Sequence, residues 1–285
     1  MRFLLLILSL FIFSHPAFAN EEKKPKVLVS VAPHKFFIEK IAGTSVDVQL
    51  MVPAGASAHT YEPTPKQILS SSQAEIWFTL GESFEKKALS ALTAYNKNLE
   101  IIDLRQNVDM IKADPLKGTC TCCHSAGYDL HIWLSAKQAS IQAETIAKAL
   151  GAKYPENKEN YQNALKRFKD ELELLDQEIE MELKGVKNRI LMVSHPAYAY
   201  FCRDYNFTQL PIEFEGRDPT PYQLTLLLKK AKEAKISQIY IQPQYSSKGA
   251  RLVAQELNAH VVTLNPYDED FFASMRQIAK EFKNN

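Results

Sequence analysis

The chain has 285 residues, of which 46% are hydrophobic and 24% charged, and its formal net charge is +1. This near-neutral balance excludes the basic surface typical of nucleic-acid and anionic-membrane binders. The sequence contains neither a G-x-x-x-x-G-K nor a G-x-G-x-x-G loop, so nothing in it predicts a nucleotide site.

The N-terminus has the pattern of a secretory signal peptide. Arg2 precedes an apolar run at 3–13, and the small residues of AFA at 17–19 predict cleavage after Ala19. The apolar run is short for a spanning helix, and no other segment is long enough to cross a bilayer. We therefore expect a periplasmic protein of about 265 residues, enough for one large domain or two ordinary ones.

The rest of the chain repeats one scheme of alternating apolar runs and helical stretches. The predicted strands are 27–31, 46–52, 75–80 and 99–103, then 190–193, 207–212, 236–242 and 260–264. The predicted helices between them are 34–42, 64–73 and 83–95, then 197–205, 222–234, 247–257 and 270–282. Continuous apolar runs are typical of parallel strands buried on both faces. The pattern predicts an α/β fold with two lobes, each a parallel-rich sheet flanked by helices.

A long helix is predicted between the two halves, over about 156–184. Its apolar side chains recur every three or four residues from Tyr161 to Leu183, and Gly185 stands where a C-terminal cap would be. An ordinary surface helix would show the same stripe, but the length and position favour a rigid strut. The predicted division is an N-terminal lobe at 20–154, a linking helix at 155–185 and a C-terminal lobe at 186–285.

Three of the seven histidines lie in loops that follow predicted strands. His59 comes after the strand ending near Val52, His131 follows the one at 99–103 after a long connection, and His195 directly follows the one at 190–193. In open α/β sheets ligands bind beyond the carboxyl ends of the strands. Three imidazoles brought together there would suit a borderline-soft cation, with zinc the leading candidate.

The motifs around these histidines resemble those of the metal-specific solute-binding proteins of bacterial ABC transporters, the zinc- and manganese-binding cluster A-I. The likeness is carried by AGASAHTYEPTPKQ at 54–67, EIWFTLGESFEKKAL at 75–89, DLHIWLS at 129–135, SHPAYAYF at 194–201 and ISQIYIQPQYSSKGARLVAQELNAHVVTLNP at 236–266. The resemblance implies a monomeric binding protein, not an enzyme, that delivers its ion to a membrane permease. It also implies a metal in the cleft between the lobes, with His59, His131 and His195 as ligands.

The fourth ligand is less well defined by the resemblance. Relatives often have a carboxylate after the last strand, in a sequence such as L-D-P, whereas this chain has Asn265 there. An amide is a poor zinc ligand, so the candidates are water, Asn265 through its carbonyl oxygen, or a nearby acid such as Asp268. Glu62 is also within reach by sequence, but a structural role in its turn is the better interpretation. The preferred set is three histidines with water or Asn265.

Metal preference follows from this ligand set. Manganese sites of the family usually combine two histidines with two carboxylates, whereas three imidazoles and few carboxylates favour zinc. We predict Zn(II) as the transported ion, with a manganese-binding member of the same family as the alternative.

A second group of soft donors lies in GTCTCCHSAG at 118–127. Cys120, Cys122, Cys123 and His124 fall within five residues, where zinc-binding members of the family often carry a His-rich insertion. These residues could form an auxiliary site that captures zinc or Cu(I). A disulfide that closes the loop in an oxidising compartment is an equal alternative. Cys202, in an aromatic run, is predicted to be a buried, unreactive thiol.

Two other classes of protein remain open on the sequence. Three histidines plus water also describe catalytic zinc sites, and Glu62 lies three residues from His59 where a general base could act. A secreted zinc hydrolase is therefore an alternative, although the sequence has no H-E-x-x-H motif. A surface adhesin or a metal buffer would look the same as a transport protein in this sequence.

Overall fold

The computed structural model describes residues 24–114, 118–120, 127–213 and 217–285. The first half forms a sheet of four parallel strands in the order β2-β1-β3-β4. Its elements are β1 (Lys26–Val29), α1 (Ala32–Ala42), β2 (Asp47–Leu50), α2 (Pro65–Ser71), β3 (Ile76–Thr79), α3 (Ser83–Tyr95) and β4 (Glu100–Asp103).

The second half repeats this arrangement. Its four parallel strands take the order β6-β5-β7-β8, which is the strand order of the first sheet with four added to each strand number. The elements are β5 (Ile190–Val193), α6 (Ala199–Asp204), β6 (Thr208–Pro211), α7 (Pro221–Glu233), β7 (Gln238–Ile241), α8 (Lys248–Leu257), β8 (His260–Thr263) and α9 (Phe271–Lys283).

The predicted fold class is confirmed. Every predicted strand overlaps an observed one, and the central strands are the most apolar because helices cover both of their faces. In β3 all four residues, Ile76–Thr79, are buried. Since all strands in a sheet are parallel, their carboxyl ends lie along one edge, and the loops that carry the three histidines leave from those edges.

The halves are joined by α4 (Ala136–Lys153) and by the 25-residue helix α5 (Lys158–Glu182), with one 3₁₀ turn at Pro155–Asn157 between them. Helix α5 packs against α1 and α4 of the first half and against α9 of the second. Its buried stripe is Tyr161, Ala164, Phe168, Leu172, Leu175 and Ile179. The long central helix therefore contributes to one hydrophobic core that extends into both lobes.

Helix α4 is the one long described element that the sequence patterns did not predict. Its buried face is made largely of alanine, at 136, 139, 143 and 147, with Ile146 and Leu150. Alanine is the best helix former, but it gives only a weak hydrophobic periodicity. The small side chains allow α4 and α5 to lie close together, and Ser135 caps the helix by accepting from the backbone N–H of Gln138.

Some predictions fall on residues that the structure does not describe. These are the signal peptide at 1–19 and, in the cysteine-rich loop, Cys122, Cys123 and His124. Within the described residues, no helix combines the length and apolarity needed to cross a bilayer.

Candidate metal centre

Four potential metal ligands converge between the lobes. The imidazoles of His59, His131 and His195 and the sulfur of Cys120 each offer a ligand atom, and these atoms all lie within 4.8 Å of one another. The ring centroids of the three histidines form a nearly equilateral triangle, with sides of 5.2, 5.2 and 5.3 Å. The three loops that the sequence singled out therefore meet at one point.

Each imidazole is oriented by a carboxylate behind it. The Nδ1 of His59 lies 3.0 Å from Glu82, and the Nδ1 of His131 lies 2.8 Å from Asp129. His195 completes the pattern, with its Nδ1 2.6 Å from Glu213. A carboxylate at Nδ1 fixes the proton there and leaves the Nε2 lone pair available, which is the usual arrangement of metal-binding histidines.

The Nε2 atoms are accordingly the atoms that face the centre. The Nε2 of His131 is buried and has no hydrogen-bond partner among the described residues. A buried polar atom without a partner is rare and costly in a folded protein. A cation bound by three imidazoles would satisfy it.

Asp129 shapes the loop that carries two of the four donors. One of its oxygens accepts from both the backbone N–H and the Nδ1 of His131, which forms a tight turn two residues long. The other oxygen accepts from the backbone N–H of Cys120 at 3.0 Å. The hydroxyl of Tyr200 in turn donates to the carbonyl of Asp129. One fully buried carboxylate thus holds Cys120 and His131 side by side.

His195 is held from the second sheet. Its backbone N–H donates to the side-chain oxygen of Gln242, and the amide nitrogen of Gln242 donates back to the His195 carbonyl. Gln242 directly follows β7, so this pair ties the ends of two neighbouring strands together. Tyr245 stacks on the imidazole with centroids 4.0 Å apart. His195 therefore has little freedom to leave the centre.

Burial sets the charge state of the site. Burial, and then the neighbouring His59 and His131, hold the pKa of His195 well below its ordinary value. Burial on its own would raise the pKa of the Glu82 carboxyl, but attraction to the three imidazoles lowers it overall. At neutral pH we therefore expect an ionised Glu82 and a neutral His195, and a neutral imidazole is the form that binds a metal ion.

The alternative fourth ligands are engaged elsewhere. The side-chain oxygen of Asn265 accepts from the Gln244 amide at 2.6 Å and from the Tyr267 backbone N–H at 3.1 Å, so both of its lone pairs are used. Asp268 accepts from the amide nitrogen of Asn265 and caps the backbone N–H of Asp270. Glu62 is exposed and pairs with Lys87 at 2.7 Å. These contacts argue against all three as ligands.

Cys120 is the donor whose position the sequence did not predict. Its spacing predicts a separate loop site or a disulfide; Cys120 is disulfide-bonded, and its sulfur lies with the histidines. Cys202 is free and buried in α6.

The three supporting carboxylates were also missed. Asp129, two residues before His131, could have been proposed from its spacing alone. Glu82 and Glu213 are 23 and 18 residues from their histidines, and no local pattern connects them.

Comparisons with known proteins agree with this geometry. The family described as "ZnuA: Zinc-uptake complex component A periplasmic" matches residues 27–285. A crystal structure of ZnuA superposes with a TM-score of 0.85 at 36% identity, over 92% of this chain and 98% of that one.

Two sequence relatives extend the comparison. A Chlamydia muridarum protein named "Putative metal-binding protein" is 33% identical, over 99% of both chains. The manganese ABC transporter substrate-binding lipoprotein PsaA of Streptococcus mitis is 27% identical, over 92% of this chain and 85% of its own.

The family match also bears on the enzyme alternative left open by the sequence. Its members are substrate-binding proteins that work with the membrane permease of an ABC transporter, and they are not enzymes. The hydrolase alternative is therefore set aside, and Glu62, its suggested base, is a surface residue paired with Lys87. This chain belongs to the ZnuA family of metal-binding solute-binding proteins of ABC transporters.

Proposed function

We propose that this protein is a periplasmic zinc-binding protein that captures Zn(II) through His59, His131 and His195 and delivers it to an ABC permease. In this proposal it is exported with cleavage after Ala19 and acts as a monomer. The observation that carries the proposal is the convergence of three imidazoles, each with a carboxylate at Nδ1. The description of the matching family as a zinc-uptake component supports it.

Zinc is favoured over manganese by the chemistry of the donors. The carboxylates Glu82, Asp129 and Glu213 are placed behind the imidazoles, so the donors that face the centre are imidazole nitrogens, beside the disulfide-bonded sulfur of Cys120. Manganese prefers oxygen ligands, whereas imidazole suits zinc, which also stands higher in the general affinity order of divalent ions.

Metal titration tests this preference. Metal-free protein titrated with Zn(II) and Mn(II), against a chelator of known affinity for each, is expected to bind zinc more tightly by at least about tenfold. The manganese titration is the matched control for nonspecific binding to surface carboxylates. Manganese binding that equals or exceeds zinc binding would contradict the proposal.

The supporting carboxylates provide a second test. Glu82→Gln removes the charge that orients His59 and keeps its proton on Nδ1, so we expect zinc affinity to fall by about 10- to 100-fold. Glu62→Gln is the matched control, because Glu62 lies on the surface beside Lys87 and should leave affinity unchanged. Equal affinities of the two variants would show that Glu82 does not support the ligand.

A further inference from the structure

The position of Cys120 suggests a role beyond the three histidines. Its sulfur lies 4.0 Å from the Nε2 of His59 and 3.9 Å from the Nε2 of His195. The residue is fully buried, and the bond from its backbone N–H to Asp129 fixes it beside His131. The sulfur therefore faces the same point as the three ring nitrogens.

These distances are close to those of a tetrahedral site. With Zn–N distances of about 2.0 Å and a Zn–S distance of about 2.3 Å, the N···S edges of a tetrahedron are about 3.5 Å. The observed separations exceed this by a few tenths of an ångström, a gap that small side-chain rotations can close. The unpartnered Nε2 of His131 points to an ion at the same centre.

The redox state of Cys120 decides whether it can act as a ligand. Cys120 is disulfide-bonded. A disulfide sulfur carries no charge and is a weak ligand, whereas a thiolate is among the strongest that zinc has. Reduction would therefore change the donor set facing the ion from three nitrogens to three nitrogens and one sulfur.

We propose that Cys120 is a redox-controlled fourth ligand of the zinc centre, an inference that rests on the proposed function. A dithiol reductant transfers two electrons and two protons to the disulfide, becomes a disulfide itself and leaves two thiols on this chain. The Cys120 thiol then loses its proton to solvent as its sulfur binds zinc. A small-molecule disulfide reverses these steps: it accepts two electrons and two protons from the two thiols, becomes a dithiol, and leaves zinc on the three imidazoles, from which it is released more easily.

The test compares zinc affinity in the two redox states. The protein is prepared with its disulfide intact or reduced by a dithiol that is then removed under nitrogen, and zinc affinity is measured by competition with a chromophoric chelator. We expect the reduced protein to bind zinc about 10- to 100-fold more tightly. Loss of a residue that only supports a ligand already weakens metal affinity by this factor, and a direct ligand should contribute at least as much. Co(II) is the spectroscopic probe, and sulfur-to-cobalt charge-transfer absorption is expected only in the reduced protein.

Two variants identify the sulfur responsible. Cys120→Ser should bind zinc like the oxidised wild type, with or without reductant, and lack the cobalt band. Cys202→Ser is the matched control, because Cys202 is a buried free thiol in α6, and it should keep the full redox response.

The outcomes separate this inference from the proposed function. Equal affinities in both redox states of the wild type, with no cobalt–sulfur band, would overturn the role of Cys120 but leave a three-histidine zinc site. A redox response that persists in Cys120→Ser would also overturn it. Absence of zinc binding in both states would instead refute the proposed function.

Discussion

His131→Ala is expected to weaken zinc binding by about two orders of magnitude. The binding free energy of a structural zinc site with four ligands is about 10–16 kcal/mol. One ligand therefore contributes about 3 kcal/mol, which corresponds to about 100-fold in Kd. His131 is fully buried, and its Nε2 has no hydrogen-bond partner among the described residues. Competition with a chromophoric chelator measures the change.

The variant should remain folded. The turn that carries residue 131 depends on its backbone N–H, which still reaches Asp129 after the side chain is removed. His260→Ala is the matched control, because this histidine is exposed at the start of β8, and it should bind zinc like the wild type. If folded His131→Ala kept wild-type affinity, the three-histidine site would be wrong.

The positions of the histidines could be predicted because strand ends are visible in the sequence. Each follows an apolar run, and parallel topology places the carboxyl ends of such runs along one edge of a sheet. The same logic, together with its place in a family motif, makes Asn265 a candidate for the fourth ligand beside water. What the sequence did not show is that the Gln244 side chain and the Tyr267 backbone occupy its carbonyl oxygen.

Contacts between distant residues account for what was missed at the site. Glu82 precedes a helix, and Glu213 follows a strand, so each resembles an ordinary boundary residue until the fold places it behind a histidine. Cys120 was assigned with its close neighbours in sequence because spacing was the only guide. Cys120 is disulfide-bonded, as one of the two alternatives has it, and the bond from its backbone to Asp129 also places it beside His131.

The strands of the fold were predictable for a related reason, whereas helix α4 was not. Parallel strands buried on both faces leave long apolar runs that can be recognised without knowledge of their partners. An alanine-rich helix leaves no comparable signal, because its burial depends on how closely a neighbouring helix can approach. Ala139 and Ala143 are core residues because α4 packs against α5 and α1.

Phe168→Ala in α5 is expected to lower the free energy of unfolding by about 3–5 kcal/mol, the usual cost of removing a buried phenylalanine. The Phe168 ring lies 5.5 Å from that of Phe37 in α1 and 6.0 Å from that of Phe272 in α9. It therefore packs against both lobes at once. Denaturant titration of the metal-free protein measures the change without the stabilisation that a bound ion adds.

Leu174→Ala is the matched control on the same helix. Leu174 is 58% exposed, so its removal should change the free energy of unfolding by no more than about 0.5 kcal/mol. Because the core cluster runs through α5 into both lobes, we expect a single unfolding transition for the wild type and both variants. A loss below about 1 kcal/mol in Phe168→Ala, or separate transitions for the two lobes in the wild type, would show that α5 does not unite them into one core.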